Sequence, residues 1–344
     1  MIDFIRREKI YILLVFFILA VNIFNSKSKE EVKNSHIQKE ESLSGMTFNE
    51  IGLTEQKVRD YIASKEPKAR FFRYGIIVGG FIFILAIFLN MAFIFFGRKP
   101  VLAIGANKTF VSWGISDILR VCVVVIFLGY VVAIIESFLF KMFQFDIGLN
   151  LRMMLNTFII DIAVGAAVVY FVAVKHGEKI QALGLRFSSC FRNILSGVTA
   201  YVFILPLLLI VLLLSIMVLN FFGYTPPPQP VFDVFMEERR GNVLLLLTLF
   251  VSVLGPVVEE VFFRGFMYSA IKKRFGVVAA IFLSASIFSL LHTNIVGFLS
   301  IMILGALLAY LYETTGSLVS SITVHIIHNS IIVGFVFFIK ELMT

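Results

Sequence analysis

Charge is scarce in this 344-residue chain: 15% of residues are Asp, Glu, Lys or Arg, against 59% hydrophobic, and the mean hydropathy is +0.95. Soluble domains carry about a quarter charged residues, so a water-soluble globule is excluded and a polytopic membrane protein is implied. Cysteine is nearly missing too. Cys122 and Cys190 are too few and too far apart for a disulfide framework or a metal knuckle. The sequence has no glycine-rich phosphate cradle and no internal repeat. No serine or cysteine is set beside a histidine as a recognisable nucleophile motif in the late spans, and there is no H-E-x-x-H helix. The formal charge of +8 reads as basic loops facing the cytoplasm or an anionic leaflet, not as a nucleic-acid surface.

Long apolar runs are abundant. A helix needs about 20 apolar residues to cross a bilayer, and by that measure spans fall near 10–25, 75–97, 121–140, 155–174, 194–222, 243–271, 276–292, 295–313 and 318–339. The fold class expected is all-α, a transmembrane helical bundle of eight or nine spans. The first run follows Arg6, Arg7 and Lys9 and is short, like a signal peptide, but no small-x-small site follows it; an uncleaved anchor is the expectation. Residues 26–74 mix ten Lys/Arg with eight Asp/Glu and read as a polar linker outside the membrane, with a helix near 54–64. "TPPPQP" at 225–230 separates two spans, because proline cannot continue a helix ladder. Basic residues concentrate on alternate loops: Arg98 and Lys99; Lys175 to Arg192; and Lys272, Lys273 and Arg274. Those loops are expected in the cytoplasm, and the whole chain in the cell membrane.

Against this background "VVEEVFFRGF" at 257–266 stands out. A charge at a helix centre costs about 2.5–3.5 kcal/mol on the insertion scale, so intramembrane ionisable groups pair or face a functional interior. Glu260 and Arg264 are four apart and share a helix face. Glu259 points about 100° away and is left over. Three of the five histidines lie in the last 53 residues: His292 in "FSLLH", and His325 and His328 in "HIIHN". Glu259 precedes Gly276 by 17 residues and His292 follows it by 16, so an antiparallel hairpin turning there brings the two level, about 24–25 Å from the turn. His325 and Asn329 lie 9 and 13 residues past Gly316, roughly 14–20 Å in, a turn or two shallower; the match improves if the Lys272–Arg274 end of the glutamate helix projects beyond the bilayer, so the polar residues can converge on one pocket. Gly255–Pro256 predicts a kink just before the glutamates. Asn90, Glu136 and Asp161, also within spans, are expected to form interhelical hydrogen bonds.

Three motifs in order, E-E-x-x-x-R (Glu259, Glu260, Arg264), F-x-x-x-H (Phe288, His292) and H-x-x-x-N (His325, Asn329), resemble the CAAX prenyl protease and bacteriocin-processing family of intramembrane glutamic endopeptidases. "LGLR" at 183–186, Pro256 and "TGSL" at 315–318 add to a resemblance that covers roughly 183–335. It implies a catalytic core over 183–344, preceded by a signal-anchor-like span at 1–25, the linker at 26–74 and accessory helices at 75–182. It also implies water activation by Glu259 and His292, with His325 and Asn329 donating to the oxyanion. Glu260 and Arg264 would be a supporting pair, Phe288 a packing residue, and His328 structural, since the motif skips it. No cofactor is called for. The expected partners are membrane lipids and a peptide or protein substrate, with lipidated or membrane-embedded substrates both within the family's range. Two other readings stay open: an intramembrane zinc metalloprotease using Glu259, His292, His325 and His328, and a non-enzymatic transporter, binding or immunity protein.

Overall fold

The computed structural model describes residues 8–22, 53–97, 111–143, 149–187, 189–224 and 230–343. The expected linker up to residue 52 and the prolines before residue 230 fall outside the described residues. The described residues are mostly helical, with eleven helices and no strand among them. We label them α1 (8–22), α2 (Glu55–Ala63), α3 (Pro67–Phe96), α4 (Ile115–Phe143), α5 (Leu151–Lys175), α6 (Cys190–Phe221), α7 (Pro230–Glu237), α8 (Gly241–Phe275), α9 (Val277–Leu291), α10 (Phe298–Thr315) and α11 (Leu318–Met343). Hydrocarbon offers no partner for a backbone N–H or C=O, so a chain this apolar can only close its hydrogen bonds within helices. Seven helices, α3 to α6, α8, α10 and α11, are long and apolar enough to span a bilayer. The apolar α9 has 15 residues, and α1 occupies the first predicted run. The protein is a multi-pass integral membrane protein.

The chain divides into two compact units. In the first, α1, α4 and α5 are tied by a buried polar network. Asp117 accepts from Arg120 at 2.6 Å, Lys175 at 2.6 Å and His176 at 3.1 Å, and Arg120 also reaches Glu8. Glu136 of α4 accepts from Arg152 and Asn156 of α5 at 2.6 and 2.8 Å, an interhelical use of an intramembrane carboxylate.

The second unit holds α2, α3 and everything from residue 180 onward. Its apolar core joins Tyr201 and Leu208 of α6, Leu304, Leu308 and Leu311 of α10, and Val324 of α11. Asn90 of α3 donates to the Phe203 carbonyl of α6 at 2.9 Å. The hairpin partners α9 and α10 pack backbone to backbone: a Cβ on Gly305 would lie 3.2 Å from the Ala285 Cα. A side chain at this position would have to push its neighbours back by a few tenths of an ångström.

Candidate active site

The site is built on α8, whose 35 residues are not uniformly α-helical. Two π-helical stretches, Phe250–Leu254 and Val261–Tyr268, bracket the short α-helical segment Gly255–Glu260. Proline explains the first. In a π turn the N–H of residue 256 would pair with the carbonyl of residue 251, but Pro256 has no N–H. The Val251 carbonyl is instead taken by the Asn329 side-chain amide of α11 at 2.9 Å. The kink expected at Gly255–Pro256 thus takes the form of a π turn held by an asparagine from another helix.

Glu260 and Arg264 are both fully buried and form an ion pair at 2.6 Å. The guanidinium also donates to the Gly305 carbonyl at 3.2 Å and stacks on the Phe288 ring at 4.4 Å. His325 reaches the same carboxylate, with Nδ1 2.9 Å from Glu260 Oε1. Its Nε2 lies 3.7 Å from Glu259 Oε2, so one imidazole bridges the two adjacent acids. Glu259 is the more open of the two, its side chain 28% exposed. Its Oε2 is nevertheless buried and, like Glu260 Oε2 and Arg264 Nε, has no hydrogen-bond partner.

His292 caps the end of α9, with Nδ1 2.8 Å from the Phe288 carbonyl. A carbonyl only accepts, so Nδ1 carries the proton and Nε2 is left with a free lone pair. Among the described residues no ion pair joins His292 to Glu259. Phe288 instead joins His292 to His325, its ring standing 4.5 Å from the first and 5.6 Å from the second. His328 points elsewhere, its Nδ1 3.2 Å from the Tyr201 hydroxyl of α6.

His325 sits level with the glutamates, not a turn shallower as residue counting from Gly316 predicts. The reason is a stagger between helices. Gly265 packs on the Leu183 carbonyl, where an added Cβ would lie 2.9 Å away, and Leu318 donates to the next carbonyl, Gly184, at 2.9 Å. The start of α11 therefore matches Gly265, and the last ten residues of α8 run on beyond it. Glu259 is six residues from Gly265 and His325 seven from Leu318, which brings them to one depth. "LGLR" and "TGSL" are the two sides of this junction, closed further by Ser317 donating to the Arg186 carbonyl at 2.9 Å. The projecting end of α8 is anchored by Lys272, 2.7 Å from the buried Glu313 of α10, which also accepts from Tyr268 at 2.8 Å.

Comparison with known proteins is informative at this point. Residues 241–331, which carry all three motifs, match the family described as type II CAAX prenyl endopeptidase Rce1-like. Over that stretch the chain is similar to the CAAX prenyl protease and bacteriocin-processing family. Among curated proteins it is similar to "Putative membrane peptidase YdiL" of Bacillus subtilis (strain 168), 27% identical over 110 residues. That match covers 30% of this chain and spans 45% of the length of the relative. No solved structure matches the chain.

Several features of the site lie outside what the sequence motifs indicate. Phe288 does more than pack, because its ring carries the Arg264 guanidinium. The Gly305 carbonyl, the Val251 carbonyl and the Lys272–Glu313–Tyr268 cluster come from residues outside the three motifs. The doubled glycine and proline signals, Gly305 against Ala285 and Pro256 before the acids, were the available clues. Among the described residues no group of three His, Cys, Asp or Glu has metal-holding geometry. Both His325 nitrogens face carboxylates, with the Arg264 cation inside the cluster.

Proposed function

We propose that the protein is an intramembrane endopeptidase that hydrolyses a peptide bond in or next to the cell membrane with a water molecule as nucleophile. The observation that carries this reading is the unequal placement of two adjacent acids. Glu260 is neutralised by Arg264, whereas Glu259 keeps a buried, unbonded oxygen beside an imidazole. An unbonded carboxylate oxygen beside an imidazole is the group placed to take a proton from water.

In the proposed reaction, Glu259 takes a proton from water while the free Nε2 of His292 accepts the second O–H and orients it. The water oxygen bonds to the scissile carbonyl carbon, and the carbonyl oxygen becomes an oxyanion. His325 Nε2–H and the second N–H of the Asn329 amide donate to that oxyanion; losing one such donor commonly costs about 100-fold in rate. The proton on Glu259 then passes to the leaving nitrogen as the C–N bond breaks. Glu260 and Arg264 hold His325 in place and do not touch substrate. A peptide or protein is the substrate class this chemistry takes.

The test is a comparison of membrane proteomes from wild type and a Glu259→Gln strain. The expected result is a small set of uncleaved precursors that accumulate in the variant and are processed again when wild-type chain is restored. Identical proteomes, with the variant chain present at normal abundance, would refute the reading.

A further inference from the structure

A groove of about 460 Å³ lies between the end of α3, the first half of α6 and the second half of α10. Phe93, Leu195, Phe203, Ile204, Leu307 and Leu311 wall it. The Asn90 amide beside them is already engaged by the Ala86 and Phe203 carbonyls. All three helices are spans, and Phe93 and Leu195 are 44% and 54% exposed, so the groove opens sideways into the bilayer. Its floor, Ala200, Ile204 and Leu307, is the outer layer of the core that joins α6, α10 and α11.

One charge lines this groove. Arg192 stands in the first turn of α6, exposed, and among the described residues no carboxylate pairs with it. The other basic side chains near spans in this unit are matched: Arg264 by Glu260, Lys272 by Glu313 and Lys68 by Glu341. Arg192 also belongs to the basic Lys175–Arg192 cluster, which places the mouth of the groove at the cytoplasmic leaflet, where anionic lipids concentrate. From Arg192 to Ile204 is 12 residues of α6, roughly 18 Å, close to the depth of about 15 Å that one leaflet gives its hydrocarbon. A cation at the headgroup level above an apolar channel one leaflet deep complements a lipid with a negative headgroup. A zwitterionic headgroup would bring a second cation beside the guanidinium; an anionic one would not.

We propose that the groove binds one anionic phospholipid of the cytoplasmic leaflet, its phosphate on the Arg192 guanidinium and one acyl chain lying along α6 between α3 and α10. Arginine suits that role because its planar fork donates two parallel hydrogen bonds to a phosphate. The site is separate from the acid–histidine cluster and stands whatever reaction that cluster performs.

The experiment is native mass spectrometry of the purified full chain, released from micelles containing equimolar dioleoyl phosphatidylglycerol and dioleoyl phosphatidylcholine. The wild type is expected to retain one lipid per chain and to favour phosphatidylglycerol about fivefold, the worth of one basic side chain beside an anionic headgroup. Arg192→Gln should abolish the preference and leave phosphatidylcholine binding unchanged, while Arg192→Lys should keep most of it. Thr199→Phe, at an exposed position on the groove wall, should weaken both lipids about tenfold by displacing roughly two methylenes of contact. A wild type that holds the two lipids equally overturns the proposal, as does a preference that survives Arg192→Gln. So does lipid retention indifferent to Thr199→Phe, which decides alone if Arg192→Gln fails to fold.

Discussion

Replacing Arg264 by methionine should damage stability severely, and the structure says by how much. The substitution keeps an unbranched side chain of good helix propensity, so the cost is electrostatic. It removes the 2.6 Å pair with Glu260, the 3.2 Å bond to the Gly305 carbonyl and the stacking on Phe288. It leaves two acids and one imidazole in a dry interior with no fixed cation. Removing one partner of a buried pair costs about 3–5 kcal/mol. For a chain of this size that corresponds to a fall of about 4–7 °C in Tm. Far-UV circular dichroism of the purified chain, melted in one fixed detergent, measures it. The double variant Glu260→Leu/Arg264→Met should melt above Arg264→Met alone, since the orphaned charge is gone. Glu259→Gln should melt within about 1 kcal/mol of wild type, because its carboxylate has no ion partner closer than 3.7 Å. If Arg264→Met melts like wild type, or Glu259→Gln falls as far as Arg264→Met, the division into a holding acid and a reacting acid is wrong.

Lys272→Met should cost about 3 kcal/mol by orphaning the buried Glu313 carboxylate, and Glu313→Gln in the same chain should recover most of it in the same melts. Gly265→Ala should cost about 1–3 kcal/mol, because a methyl group 2.9 Å from the Leu183 carbonyl forces the 180–183 turn off α8 and shifts α11 with it. His292→Ala should leave the melt unchanged, since His292 is exposed, but slow cleavage of the accumulated precursors about 100-fold. Chelators should leave that cleavage unaffected; inhibition reversed by zinc would favour the metalloprotease reading.

The fold was legible in the sequence because span length and hydropathy are one-dimensional properties. Nine apolar runs sit where nine helices stand, and the i, i+4 spacing of Glu260 and Arg264 needs only helical geometry to become a pair. What lay beyond reach was the relative height of the helices. Counting residues from Gly316 treats every loop as lying at one level. The structure instead sets the start of α11 against Gly265 through the 180–184 turn, a contact between segments more than 50 residues apart. That stagger brings His325 to the depth of the two acids, where its ring bridges them. The Val251–Asn329 bond was hidden for a different reason. It depends on a π turn, which changes the carbonyl left vacant by Pro256 from residue 252 to residue 251, and hydropathy carries no record of which hydrogen-bond ladder a helix uses.

The two adjacent glutamates do different structural work. Glu260 Oε1 takes both the Arg264 guanidinium at 2.6 Å and His325 Nδ1 at 2.9 Å, so the inner acid and its cation set the orientation of the ring. That orientation turns Nε2 toward Glu259 Oε2, 3.7 Å away, on the more exposed of the two acids. Remove Glu260 and the imidazole loses its orientation; remove Arg264 and the inner acid loses its fixed cation. One ring can touch both acids only because the E-E-x-x-x-R helix faces the H-x-x-x-N helix at equal depth.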